Sequence, residues 1–510
     1  MKYLLSLSIL LFSQFVFSQN SYEITKLLSR IRFSGEEITM ENEPNMGFIG
    51  HGYEIFGLYT PNPNLYFGLT SYSALTGIRS GFFVFGVSSG VSKVISTTPF
   101  TYDLGFFLGG GGGSGAPDGG GLMLRPHVNL SYALNKNLSI GVGGSYITFP
   151  SGEINSYNVN IGAQINTNTF LANKINKISG TVTDYDLSNI EINMLSLNLF
   201  NFKKGPLKNN NEEFNDARIS LLGASFKKKN NDNNFYGLLK LGGAFVGGVD
   251  GFMMLLTGVG YNLPMNDNLN LNTNLLLGGA GGGNVQFGGG FAAQLEGGVT
   301  YQYNNYLFGL NYGKTYAPNG DFESNHLDIS LGKKFSLYSN SKSKGLSSLS
   351  SEDFKMEEIG FSVMNRLYVM PKATAKNGNA YQDFFNSLVF EIDKKISENI
   401  SLLGSTVWAY QGEYGAYAEG WLGLSYLLYK NKNYKMSFRA LFGAGGGGDI
   451  DLGSGMIYQY GLSLEKKLDN RWSLITNLGQ VRPVVNGNFT PVLIDLGFKI
   501  NISQLNFKNK

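Results

Sequence analysis

His326 and Asp328 lie two residues apart, and side chains two apart share a face when the chain is extended. An imidazole beside a carboxylate can hold a metal or pass a proton, but two groups on one strand are only part of a site. The other two histidines, His51 and His127, do not occupy corresponding places along the chain. Ser88, in Gly86-Val-Ser-Ser-Gly90, has the letters of a hydrolase nucleophile elbow. That motif requires a strand, a sharp turn and a helix, whereas Val87 and Val91 continue an alternating strand. Gly109–Gly113 would suit a phosphate cradle only if Lys and Ser or Thr opened a helix after it. An alternating strand follows instead, so no enzymatic activity, cofactor or metal is expected.

The remaining chemistry-bearing residues fall on the polar face of alternating stretches. They are Asp103, Arg125 and His127 in the first third, then Glu296, His326 and Asp328 in the second, then Lys435, Arg439 and Glu465 in the third. In a narrow barrel these residues form an internal polar network. In a wide one they line a lumen, and their differing signs make that lumen neither uniformly cationic nor anionic.

The elements that carry them show period two. Val128, Leu130, Tyr132 and Leu134 oppose Arg125, His127, Asn129 and Ser131; Leu295, Val299, Tyr301 and Tyr303 oppose Gln294, Glu296, Thr300 and Gln302. In the last third Tyr458, Tyr460, Leu462 and Leu464 oppose Gln459, Ser463 and Glu465. Strands of about 10–14 residues with an aromatic-tipped apolar face and a small or polar opposite face match lipid-facing transmembrane β-strands. A soluble sandwich also alternates, but its strands are shorter, about six residues. Trp408, Trp421 and Trp472 suit an interfacial aromatic girdle.

A glycine-rich hairpin recurs three times. Runs beginning at Gly109, Gly278 and Gly443, and containing Gly111, Gly281 and Gly446, are followed ten residues later by Gly119, Gly288 and Gly453. Pro150, Pro318 and Pro483 come about forty residues on, each before a further glycine. The period of about 167 residues marks an internal repeat. In the second copy strands are expected to start near Ile192, Ala217, Asn234, Gly251, Leu269, Gly290, Tyr306 and His326, with the hairpin joining the fifth and sixth. The first copy should open with a strand near 30–42. Eight strands per copy return each unit to its starting side. The polar connectors Leu171–Asn189 and Ser339–Glu357 would then lie together, most simply in the periplasm.

The expected fold is therefore all-β, an antiparallel transmembrane barrel of three tandem repeats. Units 19–185, 186–355 and 356–510 form either three small barrels or one of about 24 strands. Either the hairpins pack together about a pseudo-threefold axis, or each bends its own rim inward. Replacing glycine there removes close approach of backbone to backbone.

Of 510 residues, 69 are glycine, 37 phenylalanine, 29 tyrosine and none cysteine, which rules out disulfides and thiolate metal sites. A formal charge of +3 gives no reason to expect nucleic acid. Lys2, an apolar run to Phe17 and Ser18 before Gln19 read as a signal peptide over residues 1–18. Residues 21–31 place Ile24, Leu27, Leu28 and Ile31 at helical spacing, so a short helix or a frayed strand opens the mature chain.

Signal peptide, alternation, aromatic content and strand count together make the chain resemble Gram-negative outer-membrane β-barrel proteins over its mature length. The Phe-Ser-Gln ending of the leader and the abundance of Asn, Lys and Ile resemble Bacteroidota exported proteins. The resemblance implies an outer-membrane barrel that acts as a pore or binds a small or lipid-like ligand. Alternatives are a scaffold that docks a partner through its glycine hairpins and, third, a lipid-modifying enzyme. Its partners would be outer-membrane lipid, with a small ligand or a protein at the outer rim. In place of a final aromatic residue the chain ends Phe507-Lys-Asn-Lys510, so an assembly signal would fall near Phe498 or Phe507.

Overall fold

A computed structural model describes residues 24–507, apart from 41–42, 59–61, 173–185, 202–217, 230–232, 340–353, 371–374, 377, 379, 382 and 470. The leader at 1–18 lies outside the described residues, as do the cores of both connectors.

Alternation produces strands throughout, and among the described residues no helix forms. The first unit contains β1 (Ile24–Met40), β2 (Glu43–Phe56), β3 (Leu65–Ala74), β4 (Phe83–Val94), β5 (Phe100–Gly112), β6 (Met123–Ala133), β7 (Leu138–Thr148) and β8 (Asn155–Ala172). The second contains β9 (Asp186–Asn201), β10 (Arg218–Lys229), β11 (Phe235–Val246), β12 (Met253–Pro264), β13 (Leu269–Gly281), β14 (Phe291–Tyr303), β15 (Tyr306–Tyr316) and β16 (Glu323–Ser339). The third contains β17 (Phe354–Val369), β18 (Phe384–Lys395), β19 (Ile400–Gln411), β20 (Ala418–Lys430), β21 (Tyr434–Gly446), β22 (Met456–Lys467), β23 (Trp472–Pro483) and β24 (Val492–Phe507).

Each set of eight closes on itself. β1 pairs with β8 from Ile24↔Ala172 to Glu36↔Asn160, β9 with β16 from Asp186↔Ser339 to Asn201↔Asn325, and β17 with β24 from Phe354↔Phe507 to Val369↔Val492. The architecture is thus three closed eight-stranded antiparallel barrels, and the single wide barrel is not formed. The pair Ala172↔Ser503 joins the first barrel to the third in one ladder step.

The helix considered for 21–31 does not form where the chain is described. β1 already pairs with β8 at Ile24, because the ladder supplies backbone partners that a short exposed helix cannot match.

Outward side chains are apolar. Val128, Leu130, Leu275, Leu295, Leu310, Leu462 and Leu496 are all more than a third exposed, a lipid-facing belt. Exposed tyrosines flank it at both rims: Tyr102, Tyr132, Tyr261, Tyr301 and Tyr426 towards the connectors, and Tyr157, Tyr312, Tyr316 and Tyr458 towards the glycine hairpins. Phenol rings suit that depth because one edge is apolar and the hydroxyl reaches water.

Two tryptophans are not in this girdle. Trp421 points into the third barrel, where its Nε1 donates to Glu419 at 2.8 Å. Trp408 is buried between barrels with Phe83 and Phe390. Each had a better place to put its large apolar surface than the lipid boundary. Trp472, at the start of β23, is half-buried.

Candidate functional site: the glycine rim and the barrel interiors

The three hairpins share one backbone. Gly111 N–H donates to Gly121 O at 3.0 Å, Ala280 N–H to Gly290 O at 2.8 Å, and Gly445 N–H to Gly455 O at 2.9 Å. At the tips two successive residues take left-handed φ: Ser114 and Gly115 (52° and 63°), Gly283 and Asn284 (56° and 60°), Gly448 and Asp449 (59° and 58°). Of these, Ser, Asn and Asp meet the requirement without glycine, as short polar side chains do.

Beyond each tip the chain leans on its own barrel. A Cβ on Gly119 would strike Ser151 and Gly152, one on Gly288 would strike Asn319 and Gly320, and one on Gly453 would strike Val485 and Asn486. The repeated Pro–Gly segments are thus the β7–β8 turn and its counterparts, against which the hairpins close. Before each tip the chain meets the next barrel. A Cβ on Gly281 would lie within 3.0 Å of the amide nitrogen of Gly81, and one on Gly446 within 3.0 Å of that of Gly251. A Cβ on Gly112, the equivalent residue in the first hairpin, would be 3.2 Å from Ala416 N. Gly111 is one position off this set and faces Phe83 of its own barrel.

The hairpins therefore do not pack on one another. Each docks on the turn between the third and fourth strands of the next barrel, second on first, third on second, first on third. The head-to-tail relation closes after three steps, as a heterologous interface must to make a ring. Both sequence-derived ideas hold in part: there is a pseudo-threefold assembly, and each hairpin also closes over its own barrel.

Between the barrels lies an apolar cluster of Phe83, Phe390 and Trp408, with Phe85, Met253, Leu255 and Val363 packed around it. Phe85 crosses to the third barrel, with its ring centroid 4.9 Å from that of Phe390.

Inside, each barrel has two layers. Under the glycine rim sits an apolar plug: Phe48, Tyr72, Phe82, Phe107 and Phe149 in the first barrel, and Phe252, Phe287 and Phe322 in the second. In the third barrel it is Tyr368, Phe385, Tyr417, Leu452 and Phe489. The rings meet edge to face, as between Phe82 and Phe149 (5.7 Å), tilted, as between Phe287 and Phe322 (4.7 Å), or stacked, as between Tyr368 and Phe385 (4.7 Å).

Below the plug lie the charged residues. In the first barrel Asp103 receives Arg30 at 2.6 Å and Arg32 at 2.7 Å, and lies 3.0 Å from His127 Nε2. Arg30 also pairs with Glu54, and Arg125 grips Glu36 through Nε (2.7 Å) and Nη2 (3.1 Å). Ser88 points into the same network, accepting from Thr70 at 3.0 Å and donating to Glu54 at 3.5 Å. In the second barrel Lys240 joins Glu296 (2.9 Å) to Asp328, and His326 Nε2 is 3.1 Å from Glu296. In the third Arg366 binds Asp495 bidentately at 2.7 and 2.9 Å, and Glu419 accepts Arg366, Tyr368 and Trp421. Arg439 pairs with Glu391, and Lys499 bridges Asp393 (2.6 Å) and Glu465 (3.1 Å), with Lys435 at 3.8 Å from Glu465.

All nine charged or titratable candidates thus point inward, in three separate clusters rather than one. The sequence reading missed Arg30, Arg32, Glu54, Lys240, Arg366 and Glu419. Arg30 lies in the stretch with helical spacing and Arg32 directly after it, where the period had not yet settled to two. The clusters also differ by position. Arg125 lines up with Gln294 and Gln459, and His127 with Glu296 and Gly461, when the hairpins are superimposed residue for residue. No set repeats, and among the described residues no group of His, Asp and Glu could hold a metal ion. A cavity of about 20 Å³ beside Glu391, Asp393, Lys435, Arg439, Glu465 and Lys499 has room for about one water.

No family model matches this sequence. No curated protein matches it either. Among solved structures, the chain is similar to Acinetobacter baumannii OccAB3, with 10% identity over 94% of this chain and 99% of that one, at a TM-score of 0.23. It is also similar to Pseudomonas aeruginosa OpdQ (10% identity, 94% and 98% covered, TM-score 0.21) and to the ferric enterobactin receptor of the same species, PfeA (9%, 95% and 82%, 0.28). These similarities are of barrel to barrel and carry no functional argument.

Two outcomes follow. Gly446→Val should lower stability by about 1–3 kcal/mol through overpacking, whereas Gly237→Val, which meets nothing within 4 Å, should leave it unchanged; equal effects in a gel assay of heat-induced unfolding would contradict the docking contact. Arg366→Met alone should cost about 3–5 kcal/mol by leaving Asp495 and Glu419 without their cation, while adding Asp495→Leu should recover part of it, Glu419 keeping Tyr368 and Trp421 as donors.

Proposed function

We propose that the protein is an outer-membrane scaffold: three filled barrels locked into one unit that spans the bilayer and presents its rims on either side. The observation that carries this reading is that every barrel combines an apolar plug with a paired ionic layer across its interior. Side chains fill the lumen of an eight-stranded barrel, whereas aqueous channels belong to much wider ones. Buried charges matched within each barrel keep the interior polar enough to satisfy its own groups without admitting solute.

Lipid is the partner of the outer belt. The hairpin glycines are covered by neighbouring barrels or by turns of their own, so a protein partner would dock on exposed turns rather than on the glycine surfaces themselves. The orientation with connectors in the periplasm agrees with a leader at residues 1–18 and with short turns such as Asn135–Asn137 and Asn304–Asn305 on the connector side. The differing interior clusters support a non-enzymatic role.

A second reading, binding of a small solute, finds little room inside the barrels, since the polar cavity of the third barrel, on the connector side of the plug, takes about one water. Planar-bilayer recording of the mature protein, with insertion confirmed by heat-modifiable mobility, tests the scaffold reading against a pore. The scaffold reading expects a silent bilayer. Long-lived, single-size conductance steps would overturn it and restore the pore.

A further inference from the structure

The ring has three interfaces but only two connectors. The first barrel is tied to the second through 173–185, and the second to the third through 340–353. No connector ties the third to the first, so that seam closes without a covalent link. Phe85 against Phe390 and Trp408, together with the single ladder step Ala172↔Ser503, lies across it.

At this seam the repeated contact also changes chemistry. Where the other hairpins place Phe287 and Leu452, each in its own barrel's plug, the first hairpin places Asp118. Asp118 is 7% exposed. Its Oδ2 accepts Gly113 N–H at 2.8 Å, and its carboxylate is wedged between Gly112 of its own hairpin and Gly415 of the third barrel. A Cβ on Gly415 would lie 2.6 Å from Oδ1. A Cβ on Gly112 would meet the Asp118 carboxylate before it met Ala416, so this side chain stands between the hairpin and the third barrel.

We propose that Asp118 is a proton-operated latch on the seam between the first and third barrels: the neutral carboxyl lets the hairpin stay docked, and ionisation loosens it. The other charged or titratable groups on the surrounding elements are Arg79 with its partner Glu43, Glu153 on the β7–β8 turn, and Glu413 and Tyr414 on the third barrel's turn. Arg79 is occupied with Glu43 and with the carbonyl of Ser114 at 2.6 Å, so it does not pair directly with Asp118.

Burial pushes the Asp118 carboxyl up to about 7, against weaker downward pulls from the Gly113 and Asp118 amides and from Arg79. The folded value is above the unfolded one, so docking is favoured at acid pH. That advantage is whole below the ordinary carboxylate value of about 4 and disappears as pH rises through about 7. Facing the medium, the glycine rim would sense external pH directly.

The chain has no cysteine, so spin labels can be placed at will. The full-length protein in lipid, labelled at Ser151 and Glu413 across the seam, should show a distance distribution that broadens to longer values between about pH 5 and about pH 9. Labels at Ile78 and Asn319, across the first–second interface, should not respond. Asp118→Asn should hold the seam in its acid distribution at every pH. The proposal fails if the seam distribution ignores pH, if the Ile78–Asn319 pair widens equally, or if Asp118→Asn widens like the unsubstituted protein.

Discussion

At Gly281 and Gly446 the backbone of one barrel lies so close to that of the next that a single added carbon has no place. This contact sets the spacing and the direction of the whole assembly. Because each hairpin meets a turn rather than another hairpin, the interface has a head and a tail, and three copies close where an open series would otherwise continue. The apolar cluster around Phe83, Phe390 and Trp408 then fills the space that docking leaves between the barrels. The hairpins also cannot move freely, since their second glycine segments are held by turns of their own barrels.

Closure after eight strands makes each barrel narrow, and a narrow barrel must bury whatever its inward positions carry. Buried ions are tolerable only with partners. The three units meet that demand differently: Asp103 gathers two arginines, Lys240 bridges two carboxylates, and Arg366 takes both oxygens of Asp495. These centres stand on different strands of the repeat, β5, β11 and β17, which interior filling permits. A repeated binding or catalytic centre would hold the same groups in each copy.

Much of the fold was legible in the sequence. Period-two alternation located the strands within a few residues, for example Tyr306 and Leu269, and the repeat set their number at eight per unit. It also gave the parity of Arg125, Glu296 and Glu465 without any contact being known. What stayed hidden depends on partners distant in sequence. Whether β8 returns to β1 or continues to β9 cannot be read from local pattern, because either closure uses the same alternation. Glycine says that something approaches closely but not what, so Gly281 gave no sign of Gly81. Trp408 and Trp421 misled for a similar reason: a large ring at a strand end suits a lipid boundary, an interior or a neighbouring barrel equally well.

The most direct test of this architecture is single-particle electron cryomicroscopy of the mature protein in a lipid nanodisc, viewed down the membrane normal. Three small closed rings meeting at one rim about a common axis, each with density across its interior, would match the account. One wide ring, or three rings standing apart without contact at the hairpins, would contradict it.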